Sequence, residues 1–120
     1  MSWRLFTVAL LTSAALSMAA DATSETGTVL TSFYSDRMNG HTTASKQVFS
    51  NSALTAASHE YPLGTKLKLT NPRNNRSVVV RVNDRGPNVK GRGLSVTKRA
   101  ARQLGFLKSG TDQLRVEKIS

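Results

Sequence analysis

The chain has 120 residues, no cysteine, and 17 Lys and Arg against 7 Asp and Glu, for a formal net charge of +10. That length allows one small domain, and the lack of cysteine excludes a disulfide framework and thiolate metal sites. Two histidines are too few for a zinc site built mainly on imidazole, so we predict no metal and no cofactor. The charge favours a polyanionic partner, bound by charge alone in the simplest case, although it could also serve only solubility.

The first 22 residues have the pattern of a secretory signal peptide. Arg4 precedes an uncharged apolar run, Leu5 to Leu16, and Ser17-Met18-Ala19 and Ala20-Asp21-Ala22 both satisfy the small-x-small cleavage rule. The run is too short for a comfortable membrane span, although an uncleaved anchor is the alternative. Since no cysteine is available for lipidation, we expect residues 23–120 to form one exported, monomeric domain, periplasmic or secreted and without a stable membrane anchor. Bacterial envelope polymers are then the expected partners, and nucleic acid is not.

Several short strands are predicted along the rest of the chain. In Lys66–Thr70 polar and apolar residues alternate, Arg76–Asn83 is rich in valine, and Asn71–Asn75 joins the two as a hairpin. The other predicted strands are Gly27–Tyr34, Ala53–Ala57, Leu94–Val96 and Gln113–Ile119.

The connections are also marked in the sequence. Ser35–Ser45 is a polar loop with an Asn-Gly turn, and Gly110–Asp112 is predicted to be a second turn. Lys98–Leu104 has the pattern of a short helix, with Thr97 as N-cap and Gly105 as stop. Short strands with one short helix suggest a small closed barrel.

Asp84 stands at the end of the valine-rich strand. Between Lys66 and Arg102 there are eleven Lys or Arg residues and no other acid, and Gly86-Pro87 breaks the strand just after Asp84. A carboxylate at such a strand end can act as general acid or base, whereas the alternative is that it only caps its own turn. Asp36 and Glu60 are the only nearby acids in loops, so a mechanism with one carboxylate fits better than a two-acid hydrolase.

Other side chains could bind a ligand. His59 could orient a substrate or shuttle a proton, or simply lie on the surface. Tyr34 could offer an aromatic face to a sugar ring, whereas Phe33 is expected to pack in the core. A basic groove is the remaining candidate, since arginine forks match carboxylates, but a solvated basic face explains the same residues equally well. Its residues are Arg81, Arg85, Lys90 and Arg92.

Six segments, in order, resemble the rare lipoprotein A (RlpA)-like domain, and the resemblance extends over residues 27–119. They are Gly27 with Tyr34, Thr43–Ser45, Ala53–Ala57, Pro62–Thr65, Val82–Pro87 and the Ala100–Gly105 helix. The resemblance implies an all-β fold with one or two short helices, a six-stranded double-psi β-barrel. It also implies a lytic transglycosylase that cleaves peptidoglycan strands between N-acetylmuramic acid and N-acetylglucosamine and leaves a 1,6-anhydro end. A non-catalytic, expansin-like glycan binder is the alternative.

The resemblance also implies site residues. Asp84 matches the Asp of the family's Asn-Asp-Arg-Gly-Pro motif and is the expected catalytic residue. Gln47 falls where the family has Glu and cannot transfer a proton, Ser58 falls where it has His, with His59 one place later, and Ser95 falls where it has Asp. The expected substrate-binding set is Tyr34, Gln47, Ser58, His59, Arg81, Asn83 and Arg85.

Overall fold

The computed structural model describes residues 27–120, so the predicted signal peptide lies outside the described residues. Within them, six strands and one helix follow in the order β1, β2, β3, β4, β5, α1, β6. Their bounds are β1 Gly27–Phe33, β2 Thr55–Ala57, β3 Lys66–Asn71, β4 Arg76–Asp84, β5 Leu94–Val96, α1 Lys98–Leu104 and β6 Thr111–Lys118. None of the helices in residues 27–120 has the length and apolar character needed to cross a membrane.

The six strands close into a barrel in the order β1-β5-β2-β4-β3-β6. The pairs β1–β5 and β2–β4 are parallel, and the other neighbours are antiparallel. The predicted six-stranded double-psi β-barrel with one short helix is confirmed. Because Val96 pairs with both Phe33 and Ala56, and Ala57 pairs with Asp84, the ends of β1 and β4 lie on the same side of the barrel.

Alternation along the strands fills the barrel interior. In β4, Val78, Val80 and Val82 are buried, whereas Val79, which the valine-rich sequence did not distinguish from them, is exposed because side chains alternate across the sheet. Leu67 and Leu69 are likewise buried in β3. The helix contributes the buried side chains of Ala100, Ala101 and Leu104 to this core, so the barrel interior is packed rather than hollow. The other buried members are Ala56, Leu94, Val96, Phe106, Leu114 and Val116, and Phe33 packs against them.

The helix has the predicted bounds and caps. Thr97 Oγ1 accepts a hydrogen bond from Ala100 N, and Gly105 ends the helix with φ 81°, in the left-handed region that favours glycine. The predicted turn at Gly110–Asp112 is wrong for its last two residues. Thr111 and Asp112 pair with Ser32 and Thr31, because β1 offers backbone partners that a local turn signal cannot reveal.

The segment between β1 and β2, residues 34–54, folds over the ends of β1 and β4, and we call it the covering loop. It contains a 3-10 turn at Asp36–Met38 and a bridge between Thr42 and Val48. Backbone hydrogen bonds from Thr43 to Gln47 (2.8 Å) and from Lys46 to Thr43 (2.9 Å) tighten this second turn, which requires φ 72° at Lys46. Its Ser45 N donates to Asn83 O at 3.1 Å, so the loop is attached to β4.

Candidate functional site

The carboxylate of Asp84 is held at the end of β4 by three donors. Tyr34 Oη donates to Oδ2 at 2.8 Å, and Ala44 N and Arg85 N each donate to Oδ1 at 2.9 Å. Only the last bond belongs to the Asp84 turn. The other two come from residues 50 and 40 positions away in the chain. Local turn capping therefore accounts for one of the three bonds, and the side chain is positioned by the tertiary fold.

Tyr34 joins this carboxylate to the covering loop. Its ring stacks on Phe49, with centroids 4.2 Å apart and an interplanar angle of 30°. Burial, together with the hydrogen bond to Asp84 and the charge of that group, raises the pKa of Tyr34 well above its ordinary value of 10.0. The phenol thus stays protonated at neutral pH and remains a donor to Asp84, while one face of the ring is covered by Phe49.

Gln47 and Asn83 form a polar pair next to Asp84. Gln47 Oε1 accepts hydrogen bonds from Asn83 Nδ2 at 3.0 Å and from Ser45 Oγ at 3.1 Å. Asn83 is 6% exposed, and its buried Oδ1 has no partner among residues 27–120. Because buried polar atoms are usually satisfied, this acceptor adjoining Asp84 has unused hydrogen-bonding capacity.

Ser58 and Arg85 lie behind the Asp84 backbone. Ser58 is fully buried, its N donates to Asp84 O at 3.1 Å, and its Oγ accepts from Glu60 N and Tyr61 N at 3.0 Å each. Arg85 Nη1 donates to Ser58 O at 2.8 Å and to Tyr61 O at 2.7 Å. The Ser58 side chain therefore closes the turn at residues 58–61, and the Ser58 backbone N and the Arg85 side chain fasten that turn to the end of β4.

The remaining sequence-predicted residues lie at the margins. His59 is exposed, with Nε2 3.0 Å from Asn88 Oδ1 in the glycine-rich basic loop. Arg81 is exposed on the outer face of β4, where it pairs with Thr55 and Lys66. Of the predicted residues, Tyr34 contacts the Asp84 carboxylate with its side chain and Arg85 with its backbone N, and Gln47 bonds to the neighbouring Asn83. Ser95 is one strand away, opposite Ala57. Lys90 and Arg92 are exposed in the loop that follows β4.

Asn51 is a site residue that the sequence analysis missed. It is 8% exposed, and its Nδ2 donates to Asp36 Oδ1 at 3.0 Å and more weakly to Tyr34 O at 3.4 Å. Its Oδ1 accepts from Lys98 N at 2.9 Å, so one amide joins the covering loop, the end of β1 and the start of α1. No motif marks Asn51, whereas Phe49, a lone aromatic residue in a polar stretch and 2% exposed, was a usable signal.

A pocket of about 800 Å³ adjoins this cluster and does not include Asp84. The Asp84 carboxylate is partly buried at the end of β4. Phe49 lines the pocket and also stacks on Tyr34, whose hydroxyl donates to Asp84. The two stacked rings therefore lie between the pocket and the Asp84 carboxylate. The lining of the pocket includes Phe33, Asp36, Asn51, Lys98, Arg102 and Leu107.

Known proteins match most of the described chain. The profile of a family described as lytic transglycolase matches residues 26–116. The chain belongs to this family. An endolytic peptidoglycan transglycosylase RlpA from Pasteurella multocida is 46% identical over 90 residues, which cover 75% of this chain and 31% of that protein. The corresponding Campylobacter jejuni protein is 43% identical over 98 residues, covering 82% and 36%. The chain therefore spans about a third of the length of these lytic transglycolase relatives.

Solved structures agree with the fold. The Streptomyces papain inhibitor has a TM-score of 0.64 at 18% identity, with 79% of this chain and 94% of that chain covered. A mutant of Clavibacter michiganensis expansin, solved in complex with cellohexaose, has a TM-score of 0.64 at 21% identity, with 79% and 50% covered. At such identities these likenesses show a shared barrel and nothing about a shared ligand.

Proposed function

We propose that this protein is an endolytic peptidoglycan lytic transglycosylase in which Asp84 is the acid/base. The observation that carries the proposal is the Asp84 carboxylate, held at 2.8 Å by Tyr34 Oη and positioned by bonds across the fold in a member of the lytic transglycolase family. The relatives whose names state this activity match over the same barrel that builds the site.

The reaction needs one group that exchanges a proton with two substrate oxygens. The Asp84 carboxylate takes the proton of the C6 hydroxyl, whose oxygen attacks C1 and closes the 1,6-anhydro ring. It gives this proton to the glycosidic oxygen as the bond from N-acetylmuramic acid to N-acetylglucosamine breaks. Asp84 ends in the form in which it began and no water is consumed, so a second carboxylate is not required.

The surrounding residues have assignable roles in this proposal. Tyr34 fixes the orientation of Asp84 through a phenol that stays protonated. Gln47, which is exposed, contacts sugar hydroxyl or acetamide groups, and Asn83 orients it by donating from Nδ2 to Gln47 Oε1. His59 and Arg81 are exposed and would contact the glycan farther from the bond. Ser58 and Arg85 act by holding the turn behind Asp84 rather than by touching substrate.

Location follows from the substrate. Peptidoglycan lies outside the cytoplasm, and we propose that residues 1–22 are a cleaved signal peptide that exports residues 23–120 to the periplasm or medium. We propose that the exported domain acts as a monomer without a membrane anchor. N-terminal sequencing of the protein recovered from the periplasm and the medium tests this directly, because an uncleaved Met1 end would contradict it.

The decisive experiment incubates the protein with purified peptidoglycan and identifies the products by mass spectrometry. Asp84→Asn keeps the side-chain shape and should lower the yield of 1,6-anhydro ends by at least about 100-fold, the usual size of an acid/base contribution. Glu117→Gln, which neutralises an exposed acid on β6, is the matched control and should leave the yield unchanged. Absence of anhydro ends with the wild type, or an undiminished yield with Asp84→Asn, would reject the proposal.

A non-catalytic glycan binder is the second candidate. It is favoured by Gln47 and Ser58, whose side chains are engaged in hydrogen bonds within the fold at positions where the resemblance led us to expect Glu and His. In that case the protein would sediment with insoluble peptidoglycan at moderate salt without releasing products, and Asp84→Asn would sediment equally well.

A further inference from the structure

The pocket beside Phe49 combines an apolar wall with cationic side chains. Phe33 and Leu107 are partly buried against the core and line the pocket, and the Phe33 ring lies 6.0 Å from that of Phe106. Lys98 and Arg102 project from consecutive turns of α1 on the same side, since they are four residues apart. A ligand that fits this pocket has an apolar surface and a negative group.

Arg102 is the cation available to such a ligand. Lys98 Nζ is paired with Asp36 Oδ2 at 2.8 Å, and the ion pairs of residues 27–120 do not include Arg102. Two cations and one carboxylate therefore leave the pocket with an excess of one positive charge. The pKa of Asp36 is lowered chiefly by the hydrogen bond from Lys98, then by Asn51, with smaller contributions from the charges of Lys98 and Arg102. Asp36 thus stays ionised at neutral pH and keeps Lys98 occupied.

The pocket is coupled to Asp84 through shared residues. Phe49 forms one side of it and stacks on Tyr34, whose hydroxyl reaches Asp84. Asn51, also in the lining, bonds both the Tyr34 carbonyl and Asp36. The Tyr34 and Phe49 rings therefore link the Asp84 carboxylate directly to the wall of this pocket.

We propose that the pocket is a subsite for a carboxylate borne by the polymer, which Arg102 binds while Phe33 and Leu107 pack against the unit that carries it. This inference rests on the proposed function, because it takes peptidoglycan as the polymer. Two groups there have the required chemistry: the lactyl carboxylate of muramic acid without its peptide, and the carboxylates of the stem peptide. The subsite would fix the register of the strand, so that the muramic acid bond rather than its neighbour lies at Asp84.

The test measures binding by NMR, in an Asp84→Asn background so that the ligand is not consumed. The probes are a tetrasaccharide of alternating N-acetylglucosamine and muramic acid with free lactyl carboxylates, the same tetrasaccharide carrying stem peptides, and uncharged chitotetraose. A charge-assisted contact predicts at least about tenfold tighter binding of a carboxylated probe than of chitotetraose. Amide shifts should appear at Gly40, Asn51 and Leu107. The tighter of the two carboxylated probes identifies the source of the carboxylate.

Two variants that each remove one positive charge distinguish a specific subsite from a general electrostatic attraction between the protein and the probe. Arg102→Gln should reduce the preference for the carboxylated probe to about twofold or less, whereas Arg115→Gln, on exposed β6, should keep it. Equal losses in both variants, no preference in the parent protein, or no shifts at the pocket amides would each overturn the subsite.

The outcome is independent of the activity assay. Anhydro products made without any carboxylate preference would overturn the subsite and leave the proposed reaction standing. If the protein releases no products but prefers the carboxylated probe, and this preference depends on Arg102, the subsite stands and the proposed reaction is overturned.

Discussion

The hydrogen bond between Tyr34 and Asp84 can be tested by removing a single oxygen. Tyr34→Phe deletes the 2.8 Å donor and keeps the ring on Phe49. Hydrogen bonds to charged groups contribute about 1.5–3 kcal/mol. Because Tyr34 and Asp84 are each only partly buried, we expect the free energy of unfolding to fall by about 1.5 kcal/mol, at the lower end of that range. Urea unfolding at pH 7 measures this change, and the release of Asp84 should also lower the yield of anhydro products.

Tyr61→Phe is the matched control, because the Tyr61 hydroxyl has no hydrogen-bond partner within residues 27–120. We expect it to change the free energy of unfolding by less than about 0.5 kcal/mol. A double-mutant cycle of Tyr34→Phe with Asp84→Asn should then give a coupling energy of about 1 kcal/mol or more. A coupling energy indistinguishable from zero would refute the view that these two groups act as a unit.

The pH dependence supplies a second readout of the same bond. The pKa of Tyr34 is raised in the fold above the ordinary value of 10.0 that applies in the unfolded chain. Above pH 10 the unfolded chain therefore binds fewer protons than the folded one, and stability falls as the pH rises. The stabilising contribution is fully present below pH 10 and is lost between that pH and the raised pKa. Tyr34→Phe should consequently flatten the decline above pH 10, and an identical decline would contradict the assignment.

Three further substitutions test the scaffold by urea unfolding. Lys46→Gly removes a side chain from φ 72° and should raise the free energy of unfolding by about 1 kcal/mol, since the left-handed region costs other residues about 1–2 kcal/mol. A loss of stability would show that the Lys46 side chain contributes more than its backbone costs. Ser58→Ala removes the acceptor of the Glu60 and Tyr61 amides and should cost about 1 kcal/mol, and a neutral result would contradict its structural role. Gly105→Ala places a Cβ 2.6 Å from Asn74 Nδ2 at φ 81° and should cost at least about 1 kcal/mol, unless the Asn74 amide moves away.

The barrel could be predicted from the sequence because several short strand patterns accompany one short helix and because the six segments resemble a known barrel family. The pattern of Val78, Val80 and Val82 against the facing Leu67 and Leu69 follows directly from the pleat of two paired strands. Strand ends were less certain, since Thr111 and Asp112 join β6 only because β1 is available as a partner.

The site was readable only in part. Asp84 was found because a lone acid ends an apolar strand, Tyr34 because its ring could face a sugar, and Gln47 through the resemblance. The tasks of Arg85 and Ser58 could not be inferred, because they depend on which carbonyl and amide groups the fold brings within reach. The pocket beside Phe49 was missed for the same reason. Its side chains come from β1, the covering loop, α1 and the turn after α1, and no local spacing in the sequence indicates that they meet.

The antiparallel contact of β1 with β6 has a consequence for how this domain fits into larger proteins. Gly27 pairs with Val116, so the first and last strands of the barrel have their outer ends side by side. Tyr34 follows the opposite end of β1, about 20 Å away at the usual rise per residue. Flexible extensions or neighbouring modules attached to both ends of the barrel would thus emerge side by side, away from Tyr34 and Asp84. The same barrel could therefore form part of longer or shorter chains without a change at Asp84.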